Sequence, residues 1–194
     1  MIKEIEIKNR IYDGGAKKPH CWEGEVTPSH LWTNGLGLCK GIGFIYAPKT
    51  ADSKIQLYHS YSEHADEESS LNFRQTIEKF LKDVKDPKLL QIIICHADDT
   101  TPGEHDLEKV EEIIDNICRK IEKDPIPREN FRTFFAFSPT FFISKEGEYG
   151  TLNVHEEDSD DEDKEELKTT YPVTKVLQVS DHDKASEKTR RPGF

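Results

Sequence analysis

Residues 39–59, CKGIGFIYAPKTADSKIQLYH, hold two apolar runs, GIGFIY and IQLYH, divided by Ala47-Pro48 and a polar turn. Short apolar runs flanked by turn residues form strands, so the stretch reads as a hairpin. Cys39 opens its first strand and His59 closes its second, which lets the two residues approach each other. Immediately before it, TNGLGLC at 33–39 puts two glycines ahead of the thiol. Glycine, lacking Cβ, allows backbone N–H groups to face a bound molecule.

Working outward, the isoleucines at 2, 5 and 7 alternate partly with charges, as in a half-buried first strand, and Asp13-Gly14-Gly15 supplies a turn. Phe73, Ile77, Phe80, Leu81 and Val84 recur at helical spacing behind Ser69 and Ser70, and Asp86-Pro87 ends that helix. LLQIIIC at 89–95 has the β-branched character of a central strand. Thr101-Pro-Gly-Glu104 resembles a capping box, and the stripe Leu107, Val110, Ile113, Ile114, Ile117 and Ile121 makes a second helix. The aromatic runs FRTFFAF and TFFIS within 131–144 are expected to pair as a hairpin, with a turn at Glu146-Gly147-Glu148 leading to YGTLNV.

The chain of 194 residues carries a net charge of -11, much of it in HEEDSDDEDKEE at 155–166. No basic stripe is present to bind phosphates, which argues against a nucleic-acid partner. No apolar run approaches the roughly 18 residues needed to span a bilayer, and MIKEIEIKNR lacks a signal-peptide core. The expectation is a protein in solution without a membrane partner. Residues 1–154 read as one domain and 155–170 as an acidic disordered segment. In 171–194, YPVTKVLQV is expected to return as an edge strand ahead of a loose tail.

The four cysteines, at 21, 39, 95 and 118, show no CxxC spacing, so reduced thiols are expected. A nucleophilic thiol needs access, a base within hydrogen-bond reach, and donors for the oxyanion that develops. Cys39 is the candidate nucleophile, His59 the candidate base, and Thr33 the hydroxyl that orients the imidazole. Gly35, Gly37 and Leu38 form the candidate oxyanion loop. His64 is a rival base. Lys40 could favour the thiolate, although strand alternation turns it to the other face. Cys95, His96, Asp98, Asp99 and His105 do not follow a known ligand spacing, so no metal is expected.

The pattern T-x-G-L-G-x-C, followed by an apolar strand, a turn and a strand-end histidine, resembles the CheD family of chemoreceptor glutamine deamidases. The likeness runs over about residues 24–60, including the approach GEVTPSHLWTNGLGLC. It implies an α+β fold, an α/β/β sandwich with mixed or antiparallel sheet and two main helices. It implies hydrolytic deamidation of an exposed glutamine on a protein substrate, with no cofactor. Within the wider superfamily, which includes the cytotoxic necrotizing factor toxins, a bacterial effector role is a further expectation. Such a protein would be cytoplasmic, or exported into a host cytosol without a standard signal peptide. A non-catalytic binding module on the same fold, or another cysteine hydrolase such as a peptidase, are the competing readings. The sequence does not specify an oligomeric state.

Overall fold

A computed structural model describes residues 4–6, 10–11, 21, 28–36, 39–60, 67–96, 103–136, 140–152 and 170–179. The 39–59 stretch folds as expected: β4 (Lys40–Tyr46) and β5 (Lys54–Ser60) pair antiparallel, with Gly41 opposite His59 and Ile45 opposite Ile55. Two helices then link successive strands of the same sheet. From β5 the chain passes through α1 (Glu67–Asp83) to β6 (Leu90–His96), which pairs antiparallel with the other side of β4. From β6 it passes through α2 (Gly103–Lys120) to β7 (Phe131–Phe135), parallel to β6. The sheet order is β5-β4-β6-β7.

A second sheet holds β1 (Glu4–Glu6), β2 (Arg10–Ile11), β3 (His30–Thr33), β8 (Phe141–Ser144), β9 (Glu148–Leu152) and β10 (Thr170–Gln178). Its order is β1-β10-β9-β8-β3-β2, antiparallel except for the β2–β3 pair.

Strand alternation divides the core in two. Ile42, Phe44 and Tyr46 of β4 pack with Ile77 and Leu81 of α1 and Ile114 and Ile117 of α2. Ile45 of β4, Leu57 of β5 and Ile93 of β6 face the other way, against Leu31, Phe141, Ile143 and Tyr149 of the second sheet. The result is an α+β fold of helices, sheet and sheet, with the apolar stripes of both helices supplying the outer layer. Lys123, just after α2, donates through Nζ to the carbonyls of Lys82 and Val84, satisfying acceptors at the end of α1.

The sheets approach closely over β4. A Cβ at Gly41 would lie 2.7 Å from Cδ1 of Phe141, and one at Gly43 would lie 2.7 Å from Cγ2 of Ile143. The two glycines of GIGFIY are the space into which β8 packs.

Three expectations are corrected. The aromatic runs are not a hairpin: β7 joins β6 while β8 joins β3 and β9. Buried Asn130 fixes the first choice, its Nδ2 donating to the carbonyls of Lys88 and Leu90 at 2.9 Å each, which binds the start of β7 to the start of β6. The strand near 171 is not an edge, because β10 lies between β9 and β1. The first helix begins at Glu67, so Ser69 and Ser70 lie inside it. The acidic run 155–166, Thr101-Pro102 and the chain after 179 lie outside the described residues.

Candidate active site

Thr33 is the last residue of β3. Its strand belongs to the second sheet, where Thr33 is opposite Phe141. His59, near the end of β5, belongs to the first sheet. Across the gap, Thr33 Oγ1 and His59 Nδ1 are hydrogen-bonded at 2.6 Å, and both residues are 0% exposed. The bond therefore joins the two sheets inside the core and fixes the imidazole's orientation. Thr33 Oγ1 also lies 3.4 Å from the carbonyl of Asn34, to which its proton can be directed. In the tautomer with Nδ1 protonated, the oxygen accepts from Nδ1–H and Nε2 keeps the lone pair a base requires.

Cys39 immediately precedes β4. Its N–H donates to the carbonyl of Leu36 at 2.6 Å, closing a turn, and Leu36 is completely buried between the sheets. That anchor holds one end of the glycine loop while Gly35, with φ +72, is exposed. Cys39 is half-buried and packs against the inter-sheet cluster that contains Leu57 and Phe141. It lies two residues before Gly41, whose cross-strand partner is His59. Cys39 and His59 are thus diagonal neighbours on one face. Lys40 occupies the alternate position, opposite Ser60 and His96, toward the helical layer.

The four thiols are sharply divided. Cys21, Cys95 and Cys118 are buried, and only Cys39 has intermediate exposure. Burial holds the Cys95 thiol well above its usual range. Cys118 is also raised, by burial first and then by Asp115. These environments disfavour a thiolate. Successive residues Cys95 and His96 face opposite sides of β6, so the pair does not converge on one centre. Gly37, Leu38, His64, Asp98 and Asp99 lie outside the described residues.

Two contributors escaped the sequence reading. Phe141 roofs the position of Gly41, and Leu36 ties down the loop, each from a residue type that sequence alone assigns simply to the core. Gly41 was the available signal: a glycine inside an apolar strand marks close approach by another chain segment. In comparison with known proteins, the chain matches no protein-family model and no curated sequence.

Proposed function

We propose that the chain is a cysteine hydrolase that deamidates a glutamine side chain in a protein substrate. The observation supporting this reading is the 2.6 Å bond between buried Thr33 and His59, on the inter-sheet face that the half-exposed Cys39 shares. A nucleophile, an oriented imidazole and a glycine-bearing turn make the set that acyl transfer from a carboxamide uses.

In this mechanism His59 takes the proton of Cys39, and the thiolate attacks the glutamine carboxamide carbon. Backbone N–H groups of the candidate residues Gly35, Gly37 and Leu38 stabilise the oxyanion. The protonated imidazole gives its proton to the departing nitrogen, releasing ammonia and leaving a thioester. Water, deprotonated by the same imidazole, then attacks the thioester carbon. Sulfur leaves and is reprotonated, and the product is glutamate. Each step balances without a metal or organic cofactor. The new negative charge alters any interface in which the glutamine took part.

The substrate class is a protein with an exposed glutamine, acted on in the protein's own cytosol or in that of a host. Among the described residues no helix is long and apolar enough to cross a membrane. The decisive experiment incubates candidate proteins with the wild-type chain and with Cys39→Ser, and follows ammonia release and intact mass. Ammonia with a mass gain of about one dalton on a glutamine, lost in Cys39→Ser, is the expected result. A cleaved substrate would identify a peptidase instead. Unchanged ammonia release by the variant would exclude Cys39 as the nucleophile.

A further inference from the structure

Between the sheets, beneath a different part of the fold, β6 and β7 bring two polar side chains to one face. Arg132 is opposite Ile93 in the parallel register, and both Ile93 and Phe134 belong to the inter-sheet cluster. Alternation therefore turns Arg132 toward that layer. Gln91, two residues before Ile93, shares its face and is the diagonal neighbour of Arg132. Nε and Nη1 of Arg132 and Oε1 of Gln91 are buried, and none has a hydrogen-bond partner among the described residues. Arg132 as a whole is half-buried.

Buried guanidinium N–H groups without an acceptor are costly. The group that offsets both the charge and the open donors is an oxyanion. A carboxamide beside it can turn either its oxygen or its nitrogen toward the same ligand, which suits a second contact. We propose that the β6–β7 side of the inter-sheet layer is a binding site for a small oxyanion, a phosphate or carboxylate group, held by Arg132 with Gln91 assisting. The site is separate from the Cys39–His59 pair: Arg132 and Gln91 lie one and two alternate positions farther along the sheet than the row that joins His59, Gly41, Cys95 and Phe134.

The test is calorimetric titration of the full chain with inorganic phosphate and, separately, with acetate, at constant ionic strength. Saturable binding of at least one is expected. Its affinity should fall by about tenfold or more in Arg132→Met, equivalent to at least about 1.4 kcal/mol, with a smaller fall in Gln91→Leu. Tighter phosphate points to a phosphoryl ligand, tighter acetate to a carboxylate. Should Arg132→Met fail to fold, the Arg132 Nε–H resonance of the wild-type protein decides, a saturating shift supporting the site. No binding of either anion, an unmoved resonance, or equal binding by a folded Arg132→Met would overturn the proposal.

Discussion

At Gly41 one missing methyl group lets two sheets meet. A Cβ there would come within 2.7 Å of Phe141, a buried ring at the centre of the inter-sheet layer. Gly41→Ala is therefore expected to destabilise the fold by about 1–3 kcal/mol, as overpacking of a filled core does. Urea denaturation would measure it, and a midpoint equal to wild type would show that Phe141 moves aside freely. Thr33 makes a different demand. Thr33→Val keeps the shape and removes the hydroxyl, leaving His59 Nδ1 without the 2.6 Å contact. A loss of about 1–3 kcal/mol is expected from that buried polar group. If the imidazole is the base, turnover should fall in Thr33→Val and largely recover in Thr33→Ser, a rescue that packing alone would not produce. The candidate roles of Cys39 and His59 were readable from a glycine loop and a strand end. Their relation to Phe141 was not, because nothing local to residue 41 names the ring that lies 100 residues away.

Among the elements, the contact of β5 with α1 carries its own pH signature. Tyr58 of β5 packs edge-on to Phe73 of α1 with ring centroids 4.9 Å apart. Burial first, and then the neighbouring Cys21, push its hydroxyl up to about 12 from 10.0. The folded state thus favours the neutral phenol. This stabilisation is fully present below the unfolded value of 10.0 and is lost as pH rises toward about 12. Wild-type stability should decline over that window, and Tyr58→Phe should decline less, as followed by chemical denaturation at several alkaline pH values. Parallel curves would show that Tyr58 does not ionise with unfolding. Helix α2 was legible from its stripe of Leu107, Val110, Ile114 and Ile117, and α1 from its own, since a 3.6-residue period has a single meaning. The aromatic strands β7 and β8 were legible as strands but not as members of different sheets. Period-two patterning states which face is apolar and leaves the hydrogen-bonding partner open.

For the whole molecule, β10 carries the folded unit past residue 154. It returns after the acidic run to lie between β1 and β9, with Val173 opposite Leu152 and Ile5 opposite Tyr171. A chain ended at residue 154 would leave both neighbours with unpaired backbone groups and strip Leu177 from its packing on the inter-sheet cluster. Such a truncation is expected to lose its cooperative thermal transition, which circular dichroism would follow. Retention of a wild-type transition would mean that β10 is dispensable. The three layers also explain how Thr33 and His59 come to be bonded. Thr33 arrives on one sheet and His59 on the other, so the pair exists only once the layers have closed.

The sequence by itself determined the local elements: the hairpin at 39–59, both helices, the central strand at 89–95, and the thiol after a glycine loop. These rest on periodicity and turn chemistry within a few residues, which a chain carries before it folds. Tertiary structure alone decided which sheet each strand joins, that β10 is interior, that Thr33 and His59 come from different sheets, and that Arg132 and Gln91 share a face. Each of those depends on groups distant in sequence being brought together by burial of a common apolar surface, and burial is non-directional: it selects a face, while packing in three dimensions selects the partner.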